Sequence, residues 1–187
     1  MGTDHIIVIY EDEFSLNLIK RKLDLMALNF TPIKMANSTK GYNFFQMKNS
    51  ERKRSVTHFL IWRYMVEKRL ENVMILETNV SLRFDIRFVL MNFNLKYDAI
   101  LLDGSSEPGP LEEWVQTDPT KHLSSGYILS LKAAIYLNEI FTPLIYSLEI
   151  MIGKLKECYT YFPWLVIQPG TDLQEIKKVN YLSSNYV

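Results

Sequence analysis

The residues best placed to do chemistry are polar groups that directly follow short apolar runs. Val73 to Leu76 is one such run and leads into Glu77-Thr78-Asn79, while Ala99 to Leu102 leads into Asp103-Gly104. Open α/β sheets present ligand-contacting groups at strand ends of this kind. A carboxylate there suits one of two tasks: holding a hard divalent cation through oxygen, or taking a proton as a general base. Each residue also has a plainer role. Thr78 and Asn79 bond readily to local backbone and suit a turn, and Asp-Gly is itself a turn dipeptide. His58 stands near the start of a helical pattern, where a lone histidine commonly serves as a structural hydrogen-bonder. Lys48, Arg52, Lys53 and Arg54 precede it as a basic run, able to hold a diphosphate or an acidic partner, or to form a solvated face.

The apolar pattern supplies the elements that must position these groups. Ile6 to Tyr10 reads as a buried strand, followed by Glu11-Asp12-Glu13 and a helix with Leu16, Ile19, Leu23 and Met26 in phase, ended by Asn29. Phe30 to Met35 reads as a second strand, with Pro32 favouring a sheet edge. Ala36 to Ser50 reads as a loop. A helix carrying Phe59, Trp62, Val66 and Leu70 then enters the Val73 strand, and Ser81 is placed to cap a third helix buried through Leu82, Ile86, Val89 and Phe93. Pro108, Gly109, Pro110 and Pro119 mark Gly104 to Thr120 as a long surface loop. Tyr127 to Leu129 is a strand running into a helix at Ser130. An amphipathic segment from Leu144 to Leu155 and a last strand at Trp164 to Ile167 complete the series. Strands alternating with helices predict an α/β fold, a mainly parallel sheet flanked by helices, with the runs at residues 6, 73 and 99 as neighbours. Residues 1–179 form one expected domain, and 180–187 a frayed tail.

With 187 residues, 48% of them hydrophobic, the chain suffices for a single core. Its 21 basic and 21 acidic residues cancel, so no global field draws it to nucleic acid or an anionic membrane. Cys158 is the single cysteine, which excludes an internal disulfide. No signal peptide or membrane span is legible, so the expected location is cytoplasmic. The abundance of Asn, Lys, Ile, Phe and Tyr points to an A+T-rich coding source such as a large virus or an intracellular microbe.

Five segments, in order, resemble glycosyltransferase family twenty-five, the lipopolysaccharide and procollagen galactosyltransferase type. Thr57-His58, Trp62 and Glu77-Thr78-Asn79-Val80 stand where that family has a Ser-His pair, a Trp and a strand closing in Glu-Asp-Asp-Val. The opening through Ala36 resembles its first β-loop-α-β unit, in which Asp12 keeps an acid. YDAILLDG, SGYILSLKAAIYLNEI and FPWLVIQPGTD resemble its later strand and strand-helix segments. The resemblance implies a GT-A-like architecture and transfer of a hexose from a nucleotide-sugar to a glycan or protein acceptor. A divalent cation, Mn or Mg, would neutralise the diphosphate leaving group. Carried over residue by residue, Glu77 and Asn79 would hold the metal, and Asp12, Glu77 and Thr78 would face the donor. His58 would face the cleft as a catalytic group. By position rather than by resemblance, Asp103 at its strand end is the remaining carboxylate for a catalytic base or second ligand, and Glu112, Glu113 and Trp114, in the breaker-rich loop, are placed to meet an acceptor sugar. The departures are specific. Thr78 and Asn79 replace two carboxylates, and Asn17 and Leu18 stand where arginines are expected. The same frame therefore supports two readings: an active transferase, or a glycosyltransferase-like domain with a degraded donor site that binds a protein partner or builds an assembly.

The Glu11-Asp12 pair after the first strand also resembles the opening of a response-regulator receiver. That fold needs a phosphorylated Asp on its third strand, and residues 51–70 contain no Asp.

Overall fold

The computed structural model describes residues 5–45, 47–103, 113–121, 125–142, 144–162 and 164–167. Strand β1 (His5–Tyr10) feeds helix α1 (Glu13–Leu25), which Asp12 caps through its side chain, and β2 (Thr31–Lys34) returns parallel to β1. The helix ends earlier than Asn29. Ala27 adopts a left-handed φ of 53°, and the Leu28 N–H closes back on the Leu23 carbonyl. A helix stop made without Gly or Asn leaves no compositional signal.

A two-residue strand β3 (Asn43–Phe44) precedes α2 (Asn49–Lys68), so the stretch 36–50 is not wholly loop. Helix α2 then turns into β4 (Asn72–Glu77). Ser81 caps no helix: Ser81–Leu82 is a short strand, β5, and α3 (Ile86–Met91) begins only after Asp85. Leu82 and Val166 are register partners, so pairing with the distant chain overrides the local capping signal at Ser81.

After β6 (Ala99–Leu101) come β7 (Glu113–Gln116), a 3-10 turn (Pro119–Lys121), β8 (Gly126–Ser130) and α4 (Leu131–Ile140), capped by Ser130 as its sequence predicts. The chain continues through β9 (Leu144–Ile145), α5 (Leu148–Ile152), β10 (Cys158–Phe162) and β11 (Val166–Ile167). Thus Glu113 and Trp114 belong to a strand rather than to the breaker-rich loop, where Gly104 and Glu112 lie outside the described residues. The predicted segment from Leu144 to Leu155 divides into a strand and a short helix. The expected tail at 180–187 also lies outside the described residues.

The main sheet has the order β2-β1-β4-β8-β6-β10-β7. Five of its strands run one way, and β8 and β7 run against them. The α/β expectation of a mainly parallel sheet flanked by helices holds, as does the edge position of β2 with its Pro32. One expectation fails in detail: β8 inserts between β4 and β6, so the runs at 73 and 99 are separated by one reversed strand.

Side chains alternate across this sheet and divide the core in two. Ile7, Ile9, Val73, Ile75, Leu101 and Tyr127 pack with α2, α4 and α5 on one face. Ile6, Val8, Met74, Leu76, Ile100 and Ile128 pack with α1 and α3 on the other. Every strand in the middle of the sheet is buried on both sides, which is why these runs are continuously apolar. Among the described residues, no helix is long and apolar enough to cross a membrane.

Candidate functional site

The parallel strands β1, β4 and β6 end along one edge of the sheet, and the reversed strand β8 begins there. This edge is stitched by backbone: Glu77 N–H donates to the Ser125 carbonyl at 2.9 Å, Thr78 N–H to Ile9 at 3.1 Å, and Leu102 N–H to Gly126 at 2.9 Å. Gly126 is required by close approach. A Cβ there would lie 3.1 Å from the Val166 methyls and 3.2 Å from Leu76 Cδ2.

Helix α2 lies over this edge and presents Arg54, His58 and Trp62, four residues apart and so on one helix face. Glu77 Oε1 receives the Arg54 Nε at 2.5 Å and the His58 Nε2 at 3.2 Å. Arg54 also reaches Glu149 Oε1 through Nη1 at 2.6 Å. An ionised carboxylate only accepts, so His58 carries its proton on Nε2 and accepts at Nδ1. Tyr127 Oη is 2.7 Å from that Nδ1 and therefore donates to it, while accepting from Trp62 Nε1–H at 3.0 Å. A directed relay thus runs from Trp62 through Tyr127 and His58 to Glu77. Trp62, His58 and Tyr127 are all fully buried.

Burial sets the electrostatics. It works against the Arg54 charge, but Glu77 and Glu149 outweigh it and raise the Arg54 pKa. Burial also opposes ionisation of Glu77, yet His58 and Arg54 hold its pKa below the ordinary value. For His58 burial prevails and keeps the imidazole neutral. Burial likewise pushes the Tyr127 phenol upward.

Asp103, at the end of β6, is 1% exposed. Its Oδ2 accepts from the Ser125 N–H at 2.8 Å, and burial, reinforced by the Glu77 charge, pushes its pKa up to about 6. A carboxyl poised there exchanges a proton near neutrality. The adjacent Ser125 Oγ is buried and has no hydrogen-bond partner among the described residues.

The structure joins Glu77 to His58 directly and couples Asp103 to Glu77 through the field and the Ser125 backbone. It does not gather the other candidates. Asp12 is turned to its own helix, accepting from Ser15 N at 2.9 Å and Ser15 Oγ at 2.6 Å. Thr78 is half-buried and Asn79 exposed in the turn after β4. Trp114 packs edge-on against Phe93, with ring centroids 4.5 Å apart. Of the basic run, Lys48 and Lys53 are exposed, Arg52 lies over the Phe44 ring, and Arg54 turns inward. Arg54, Tyr127 and Glu149 are therefore members of the site that the sequence reading did not single out in these roles. The four-residue spacing of Arg54, His58 and Trp62 was the signal for the first.

The donor set can be tested against a divalent cation. Within the Glu77-Thr78-Asn79 strand end the one carboxylate is Glu77, whose Oε1 already serves a guanidinium and an imidazole, beside a neutral and exposed amide at Asn79; Glu149 is bound to the same guanidinium, and Asp103 accepts from the Ser125 N–H. Among the described residues, no group of three His, Cys, Asp or Glu side chains is arranged to hold a metal.

No family model matches the chain, and no curated protein does. Solved structures do. The crystal structure of A197 from STIV is similar over 83% of this chain and 81% of that chain, with a TM-score of 0.50 and 11% sequence identity, a likeness of fold alone. A glycosyltransferase involved in the glycosylation of the major capsid of PBCV-1 aligns over 94% of this chain and 98% of that chain, at 6% identity. Its TM-score of 0.42 is too low to carry an argument.

Proposed function

We propose that this chain is a glycosyltransferase-like protein whose donor site is degraded, with the Arg54 guanidinium standing where the enzymes it resembles hold a cation. The observation that carries this reading is the clasp on Glu77. Its carboxylate is neutralised inside the protein by Arg54 and oriented by His58. Arg54 is in turn shared with Glu149, so it is not a surplus positive charge waiting for a diphosphate. Two carboxylates of the resembled motif are absent at Thr78 and Asn79, and Asn17 and Leu18 replace its arginines. A protein of this kind keeps the sheet and the strand-end frame and acts as a binding or structural component, with a protein partner in place of a donor.

The second reading, an active hexosyltransferase acting on a nucleotide-sugar and a glycan acceptor, is favoured by one observation. Asp103 is a buried carboxyl at a strand end with a pKa near 6, as a base for an acceptor hydroxyl requires. The two readings separate in thermal melts with Mn²⁺ and uridine or guanosine diphosphate. Ligand at about a hundred times its dissociation constant adds roughly 2.7 kcal/mol to stability. The degraded site gives no such rise and no turnover of UDP-hexose or GDP-hexose. A Mn²⁺-dependent rise that disappears in Glu77→Ala, or turnover that disappears in Asp103→Asn, establishes the enzyme instead.

A further inference from the structure

A second concavity lies away from the strand ends, between the later turns of α2, the C-terminal end of α4 and the small β3-β9 sheet. Its volume is about 570 Å³, within the usual range for small-molecule sites. Phe59 and Arg63 line it beside His58 and Trp62 in sequence, but successive residues of a helix point about 100° apart, and none of Arg54, His58, Trp62, Glu77 or Asp103 lines the cavity. It opens on a different face of α2 from the Glu77 cluster.

Its walls combine two kinds of group. Tyr42 supplies partly exposed aromatic surface, backed by the buried rings of Phe59 and Phe141, and Arg63, Glu67 and Asn138 supply polar groups. Arg63 and Glu67 are exposed, one turn apart, and neither is engaged in an ion pair within the described structure. The Asn138 amide donates to the Ala134 carbonyl at 2.7 Å, while its Oδ1 is shielded from solvent and has no hydrogen-bond partner among the described residues. An unpaired shielded acceptor costs about 1–3 kcal/mol, and a hydroxyl that enters and draws the amide toward it removes that cost.

These features select among ligand classes. Arg63 and Glu67 cancel in charge, so a nucleotide dianion finds one cation and one repelling carboxylate. An aliphatic chain would leave three polar side chains unmatched against it. A neutral ring with hydroxyls on its rim and C–H groups on its face meets both kinds of wall. The Tyr42 ring covers its face, the guanidinium donates, and the carboxylate and the Asn138 oxygen accept. We infer that this cavity is a binding site for a neutral sugar ring, such as a hexose unit of a glycan, independent of whether the strand-end site is active.

The test is an amide NMR titration of the full chain with the methyl glycosides of glucose, galactose and mannose, with uridine monophosphate as the anionic control. For at least one hexoside the shifts should cluster at Gly41, Tyr42 and 138–142, with a dissociation constant on the order of 1 mM. Arg63→Ala, on the exposed rim, and Asn138→Leu should each weaken it about tenfold, equivalent to about 1.4 kcal/mol. The inference is overturned if none of the three hexosides shifts these amides at about 50 mM, some fifty times the expected constant. It is equally overturned if uridine monophosphate binds there in preference, or if Arg63→Ala binds as well as the wild type. Hexoside shifts gathered at Glu77 and Asp103 instead would place the sugar at the strand ends, sinking this site while supporting an active transferase.

Discussion

The two halves of α2 carry similar residues and treat them differently. In the first half Arg54, Thr57 and His58 all find partners inside the protein: Glu77 and Glu149, the Lys53 carbonyl and Ala36 N–H, and Tyr127. In the second half Arg63 and Glu67 face an open cavity and solvent. The difference follows from the helix face each residue occupies, since the second half also packs Ile61, Trp62 and Met65 into the core under the sheet. On the inward face water is excluded, so every polar group must be answered by another or destabilise the fold. On the outward face of the second half, Arg63 and Glu67 remain hydrated and available to a ligand. Polar residues on a helix are thus committed in one place and free in the other, and only the free ones are poised to bind something new.

Substitutions along the helix test that contrast. Trp62→Ala removes a fully buried indole and the donor that starts the relay, and should lower stability by roughly 3–5 kcal/mol in denaturant melts. A loss below about 1 kcal/mol would mean that α2 does not pack on the sheet as described. Arg54→Ala leaves Glu77 buried without its cation and should cost about 3 kcal/mol. Adding Glu77→Ala to it should recover a good part of that loss, since the unpaired charge goes too.

Asp103→Asn should act in the opposite direction. The shift from 3.8 to about 6 means that the folded protein holds this proton more tightly than the unfolded chain does. Asp103 therefore makes stability fall as pH rises from about 4 to about 6, a deficit of up to about 3 kcal/mol at neutral pH. The asparagine variant should be more stable than the wild type at pH 7, and the gain should vanish near pH 4. Glu77 and His58 have the contrary sign. Both pKa values are lowered, so their contributions are present at neutral pH and are lost on acidification, His58 from about 6.5 downward and Glu77 from about 4.5. Glu67→Ala, in the open half, should change stability by less than about 0.5 kcal/mol at any of these pH values.

The sequence made the strands of the sheet interior legible because they are buried on both faces, and an apolar run needs no partner to be recognised. It was mute where pairing decides. Ser81 looks like a helix cap and becomes a strand because Ile167 is there to meet it. Glu113-Trp114 sits among breakers and becomes a strand because β10 is beside it, while β10 itself, Cys158 to Phe162, alternates too weakly to stand out. At the site, the strand-end position of Glu77 and Asp103 was legible from the residues that precede them. The clasp was not, because Glu149 lies 95 residues from Arg54 and only the folded chain brings them within 2.6 Å.

The central claim is that the Glu77 carboxylate is engaged through Oε1 by Arg54 and His58 in place of a divalent ion. Manganese is paramagnetic and broadens the NMR signals of whatever it touches, so the most direct test is to titrate Mn²⁺ into the wild-type protein while recording the Glu77 side-chain carboxyl carbon. The account predicts that this signal stays sharp, with a pKa below the ordinary glutamate value. Selective broadening of Glu77 together with the Thr78 and Asn79 amides would contradict it, by showing that the strand end binds a cation despite the clasp.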